Sequence, residues 1–118
     1  MMKAIGAAFM AIGIGMGAFG AHGLRPLLEA RPMAVFETAV FYLISQALGL
    51  LLISKFKGPS RLLFTGIVLF SGSLFLLSTT ALHGLPVSWL GPIPPIGGLL
   101  LVAAWLWTAL EFFKTKKS

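Results

Sequence analysis

The sequence predicts an all-α integral membrane protein, an antiparallel four-helix bundle with both termini on the cytoplasmic side. Three observations predict it. Hydrophobic residues form 58% of the 118-residue chain and charged residues only 10%, against roughly a quarter charged in soluble domains. Four apolar runs recur, each near the roughly 20 residues that carry a helix across a hydrocarbon core about 30 Å thick. Lysine and arginine fall between and beyond these runs, and unequally on the two sides.

The first run covers about residues 4–21. With Lys3 ahead of it and the small residues Ala18 and Gly20 near its end, it imitates a secretory signal. Its length is that of a span, and cleavage is not expected. The second run is 34–54, the third 62–82 and the fourth 96–113. Helix is the expected form of each, because unpaired backbone groups in hydrocarbon are costly and the runs lack the alternating pattern of barrel strands.

The breaks have their own chemistry. Gly23, Pro26 and Pro32 interrupt the first connection, Lys57-Gly58-Pro59-Ser60 makes the second, and Gly84-Leu85-Pro86 through Pro95 makes the third. Pro32 and Pro95 suit the first turn of the helices that follow, where a missing N–H is harmless. Trp89, in the longest connection, is an expected interfacial anchor.

Orientation follows from the cations. Lys3, Lys55, Lys57, Arg61, Lys114, Lys116 and Lys117 fall on one side, and Arg25 and Arg31 on the other. The positive-inside rule places the richer side in the cytoplasm.

The same distribution answers the formal charge of +6. The cations flank spans and form no basic face interleaved with aromatics, so no nucleic-acid partner is expected. Absence of cysteine excludes disulfides, thiolate nucleophiles and thiolate-held clusters. Gly15-Met16-Gly17-Ala18-Phe19-Gly20 has dinucleotide-binding spacing, but no strand precedes it, and helix packing explains it better. No triad, phosphate loop or metalloprotease motif occurs, so no enzymatic activity and no catalytic residue are expected.

Lipid tails are as apolar as leucine, so helices in a membrane associate through close packing of small residues and interhelical hydrogen bonds. Gly6, Gly13, Gly17 and Gly20 share one face of the first helix. Thr38, Tyr42, Ser45 and Gly49 do so on the second, Gly66, Ser73 and Thr80 beside Gly72 on the third, and Gly97, Ala104 and Thr108 on the fourth. Leucine, phenylalanine and tryptophan are then expected to face lipid.

Polar residues converge at the outer end. His22 ends the first helix, Glu37 lies about a turn inside the second, and His83 ends the third, with Arg25, Glu29 and Arg31 in the same layer. One reading pairs Glu37 with Arg25 or Arg31 and leaves His22 to satisfy helix-end carbonyls. Another makes His22, His83 and Glu37 ligands of a metal, or the two histidines axial ligands of haem. Between them lies a pocket for a lipophilic molecule such as a quinone or lipid. There Tyr42, Ser45 and Gln46 supply hydrogen bonds, and His22 or Glu37 handles protons. Glu111, three residues before Lys114, reads as a solvated pair.

Four ordered motifs resemble a known family. They are Gly17-Ala18-Phe19-Gly20-Ala21-His22-Gly23-Leu24, Phe36-Glu37-Thr38-Ala39-Val40 followed by Tyr42, Leu69-Phe70-Ser71-Gly72-Ser73-Leu74, and Pro95-Ile96-Gly97-Gly98 with Trp105. Together they resemble the domain of unknown function 423 family, which includes the eukaryotic transmembrane protein 256 group. The resemblance implies a four-span protein of the bacterial cytoplasmic membrane and brings no established activity. By motif position His22, Glu37, Tyr42, Ser71, Gly72, Ser73, Gly97 and Gly98 would be characteristic. Relatives commonly carry His where this chain has Gln46 and Thr where it has Pro94, and His83 matches no motif.

The expected role is that of a non-catalytic accessory or structural membrane protein, in contact with lipid and in a homo-oligomer or larger membrane complex. A binder of a lipophilic ligand, haem or metal through His22, Glu37, Tyr42 and Gln46 is the first alternative, with the cofactor unassigned. An oligomeric channel or transporter is the second.

Overall fold

The computed structural model describes the backbone of residues 1–117 and the side chains of residues 1–115; the Lys116 and Lys117 side chains invoked for orientation lie outside the described residues. Helix α1 covers Met2–Phe19 and runs into a π-helical turn, Gly20–Leu24. Helices α2 (Ala30–Ile53) and α3 (Lys57–Ser78) follow, then the short α4 (Thr80–His83), a 3-10 turn (Ser88–Leu90) and α5 (Ile93–Lys117). Four helices, α1 with its π turn, α2, α3 and α5, are long and apolar enough to span a membrane.

The helices begin before the apolar runs do. Arg31 and Pro32 belong to the first turn of α2, Pro94 and Pro95 to that of α5, and Lys57, Gly58 and Pro59 to that of α3. The tetrapeptide expected as the second connection is therefore helical, and Ser54–Phe56 alone makes that turn. The reason is that the first four N–H groups of a helix have no intrahelical partner, so proline costs nothing there, and a charged first turn can stand in the interface.

Helix α3 stops earlier than hydropathy suggests. The hydroxyls of Ser78, Thr79 and Thr80 donate to carbonyls of Phe75, Leu76 and Leu77, three or four residues back. Three such side chains in a row compete with the backbone and break the helix at Thr79. Gly84 then reverses the chain at φ +64°, a left-handed conformation that favours glycine.

Packing follows chain order: α1 lies on α2, α2 on α3, and α3 on α5. Two further contacts close the antiparallel bundle into a rhombus. Phe9 of α1 stacks on Phe64 of α3 at 5.7 Å, and Trp105 of α5 bonds to Gln46 of α2. Helices α2 and α3 form the central pair, and their spans are 39% and 33% buried, against 17% for the α1 span and 22% for the α5 span.

Glycine sets these contacts. A Cβ on Gly66 would come within 2.9 Å of Leu101 and 3.2 Å of the Gly97 carbonyl, and one on Gly97 would lie 2.5 Å from the Phe70 amide nitrogen. The backbones of α3 and α5 meet there with no room for a methyl group. Gly6 lies against the Ala47 carbonyl and Leu51 of α2, Gly13 and Gly20 meet the α2 side chains of Ile44 and Phe36, and Gly49 lies under Trp105. Gly17 and Gly98 make looser contacts, with Val40 and Phe70.

Two packing expectations need correction. Gly72 faces open space. Ser73 is buried in the bundle as expected, its hydroxyl donating to the Phe70 carbonyl of α3 itself, and Ser45 bonds along its own helix, donating to the Tyr42 carbonyl and accepting from the Gln46 side-chain amide. A hydroxyl that does cross between helices is that of Ser71, which donates to the Ala39 carbonyl at 3.0 Å. Nor do all large aromatics face lipid. Phe36 is 1% exposed and meets Phe75 edge-on, and Trp105 turns inward.

Candidate functional sites

At the outer end of α1, glycines at 20 and 23 bracket the π turn. The Arg25 amide donates to the Gly20 carbonyl, five residues back, at 3.0 Å. This wide turn aims Arg25 at Glu37, which its guanidinium meets at 3.3 Å, with both side chains more than half exposed. Phe36, the neighbour of Glu37, covers Gly20 so closely that a Cβ there would lie 2.6 Å from its ring. The first two motifs thus interlock through an apolar contact, and Arg25, directly after the first, adds an ionic one. Beside them opens a cleft of about 340 Å³, reached by Gly17, Arg25, Met33, Glu37 and Phe41.

The histidines do not join this cluster. His22 is exposed on the π turn. His83 is engaged at both nitrogens: Nδ1 accepts from the Leu85 amide at 3.0 Å, and Nε2 donates to the Leu76 carbonyl at 2.9 Å. An imidazole with both nitrogens bonded to backbone has none to offer a metal or haem. Among the described residues, no three His, Asp or Glu side chains stand close enough to hold a metal ion.

Tyr42 and Gln46 belong to a second, separate place. Glu37 and Gln46 are nine residues apart on α2, about two and a half turns, and so face opposite sides of the helix. Expecting His22, Glu37, Tyr42 and Gln46 in one site overlooked that rotation. Tyr42 and Gln46, four residues apart, share a face. They line a cleft of about 820 Å³ together with Phe70 of α3 and Pro95, Gly98, Val102, Trp105 and Leu106 of α5. Gln46 Oε1 accepts from Trp105 Nε1 at 2.6 Å, and the Tyr42 ring meets Phe70 edge-on at 4.6 Å.

A third feature had no place in the sequence reading. Ala4, Ala8, Ala11, Gly15 and Ala18 follow one another at spacings of four, three, four and three, and all are exposed. They occupy the face of α1 turned away from α2, where a Cβ on Gly15 would meet nothing within 4 Å. The signal that marks it is the spacing itself, carried mainly by alanines, where glycines mark the opposite face. At the far end of the chain, Glu111 accepts from Trp107 Nε1 at 3.3 Å and pairs with Lys114 at 3.7 Å.

Comparison with known proteins gives the family. A family model described as "Protein of unknown function (DUF423)" matches residues 16–98. A UPF0382 membrane protein of Staphylococcus haemolyticus is 42% identical over 118 residues, covering 93% of each chain. One of Staphylococcus saprophyticus is 40% identical, covering 93% of this chain and 94% of its own. One of Bacillus subtilis is 38% identical, covering 86% and 87%. No solved structure matches.

Proposed function

We propose an assembly role for this chain, which belongs to the DUF423 family and is a multi-pass membrane protein: a non-catalytic accessory subunit that docks against another transmembrane helix through α1. The observation that supports this reading is the exposed seam of Ala4, Ala8, Ala11, Gly15 and Ala18. Its alternating spacing averages 3.5 residues, the repeat at which one helix keeps a straight contact with a neighbour. Small residues at such a seam let backbones approach closely, which is the main source of helix association where solvent is lipid. Among the described residues all five positions stay exposed, and a Cβ on Gly15 would meet nothing within 4 Å.

The polar groups fit a structural role. Arg25 and Glu37 neutralise each other, His83 caps backbone groups around the third connection, and Ser71 and Gln46 join helices. The cytoplasmic placement of both ends rests on the excess of cations there.

The test is a photocrosslinking residue at Ala11 or Gly15, compared with one at Leu99 on α5, in native membranes and then in mild detergent. Crosslinks from α1 to a second copy or to another membrane protein are expected, with few from Leu99. A strictly monomeric protein with no adduct at either α1 position would overturn the docking role.

A further inference from the structure

We propose that the cleft between α2 and α5 binds a lipid-soluble carbonyl compound, a molecule with an apolar tail and a head that accepts hydrogen bonds. The cleft, of about 820 Å³, has the size of a small-molecule site. Its walls are apolar apart from Tyr42, Gln46 and Trp105. What those three leave available is donors. Gln46 Oε1 is taken by the Trp105 indole, while Nε2 makes one long contact of 3.4 Å to Ser45 and carries a second hydrogen. The Tyr42 ring is held by Phe41 and Phe70, and its hydroxyl has no hydrogen bond among the described residues. Four residues apart, the two side chains leave one helix face, their Cβ atoms about 6 Å from each other.

Depth makes those donors selective. Gln46 is nine residues from Glu37 and nine from Lys55, the charges that bracket the span. It therefore lies near the membrane midplane, with Tyr42 about 6 Å toward the outer end. Water and lipid headgroups are scarce at that depth, and a donor left unpaired in hydrocarbon is costly. An alkyl chain relieves nothing; a carbonyl on an apolar molecule does. Two kinds of molecule carry one into a cleft lined along α5 from Pro95 to Leu106: an isoprenoid quinone, and an acyl lipid whose ester is drawn down from the outer leaflet. The cleft contains no residue of α1, so this site stands apart from the docking seam and neither depends on the other.

Trp105 reports on the site. The chain has three tryptophans, and a Trp89→Phe/Trp107→Phe background leaves Trp105 as the sole indole. That protein, in detergent micelles, is titrated with a 1,4-naphthoquinone bearing a short isoprenoid chain and, separately, with phosphatidylglycerol carrying brominated acyl chains. Saturable quenching by one of the probes is expected. Tyr42→Phe, which removes one oxygen and keeps the ring, should weaken it about tenfold, and Val102→Phe, which fills an exposed part of the cleft, should abolish it. Saturation by the quinone assigns a quinone head; saturation by the brominated lipid that the quinone fails to displace assigns an acyl lipid. Quenching that rises with probe-to-detergent ratio and never saturates, or that saturates identically in both variants, overturns the proposal. So does a stable dimer in which Trp105 is shielded from both probes, because a second copy then occupies the cleft.

Discussion

Trp105 donates its indole N–H to Gln46 Oε1 at 2.6 Å and lays its ring where a Cβ on Gly49 would stand, so one side chain of α5 ties down α2 near the middle of the membrane. Helices α2 and α5 otherwise meet through α3. The bond is therefore a direct side-chain tie between two helices that both pack on α3.

Gln46→Leu should lower stability by about 1 kcal/mol, the scale of an interhelical hydrogen bond in a membrane. Gln46→His should recover most of it, since a neutral imidazole still presents an acceptor to the indole. Unfolding in mixed micelles by increasing SDS reads the difference. A Gln46→Leu midpoint equal to that of the parent protein would count against the bond as a brace.

Gly97 and Gly72 should respond in opposite ways to the same change. Gly97→Ala places a methyl group 2.5 Å from the Phe70 amide nitrogen, where backbone and not a movable side chain must yield. Overpacking of that kind costs about 1–3 kcal/mol. Gly72→Ala meets nothing and should be neutral or slightly stabilising, because alanine has the better helix propensity. Thermal unfolding of the two variants in one detergent checks the pair, and equal losses would mean that the α3/α5 contact is misplaced.

The Arg25–Glu37 pair spans 3.3 Å with side chains 58% and 55% exposed, which places it with surface ion pairs whose net contribution is about 0–1 kcal/mol. Glu37→Gln should therefore shift the unfolding midpoint only slightly, and the shift should shrink at high salt. A loss of several kcal/mol, insensitive to salt, would show that the pair is far more shielded than its exposure indicates.

The absence of cysteine makes orientation directly measurable. Ser88→Cys, in the third connection, should react with a membrane-impermeant maleimide in intact spheroplasts, and Lys114→Cys, at the end of α5, only after permeabilisation. Lys114→Cys leaves six cations against two on the opposite side, so the substitution preserves the asymmetry that sets the topology. Labelling of both positions from outside would require an odd number of crossings between them to be abandoned.

The spans were legible because hydrocarbon demands long uninterrupted apolar helices. Their starts were less so: proline and lysine read as loop residues by hydropathy, yet the first turn of α3 accepts Lys57, Gly58 and Pro59. The outer-end site was misjudged for a different reason. His22, Glu37, Tyr42 and Gln46 lie within two adjacent spans, but Gln46 is nine residues deeper than Glu37 and a helix rotates about 100° per residue, so neighbouring spans give neither one layer nor one direction. Glu37 turns to the α1 cleft and Gln46 to the α5 cleft. No sequence signal marked the π turn that aims Arg25; the paired glycines at 20 and 23 permit it without requiring it.

The two faces of α1 offer a separation of folding from assembly. Gly13→Leu drives a side chain into Ile44, which would stand 2.6 Å from the new Cβ, and should destabilise the isolated protein by about 1–3 kcal/mol. Gly15, two residues on, is exposed with nothing within 4 Å; Gly15→Leu should leave the isolated protein's unfolding unchanged. If α1 docks by its outer seam, that same leucine holds a partner backbone away within the contact, so the Gly15 variant should lose its crosslinked or copurifying partner while keeping its own stability. The Gly13 variant should show the reverse pattern at temperatures where it remains folded. Thermal unfolding together with partner retention distinguishes them, and a Gly15→Leu protein that keeps its partner in full would remove the seam from consideration as a docking surface.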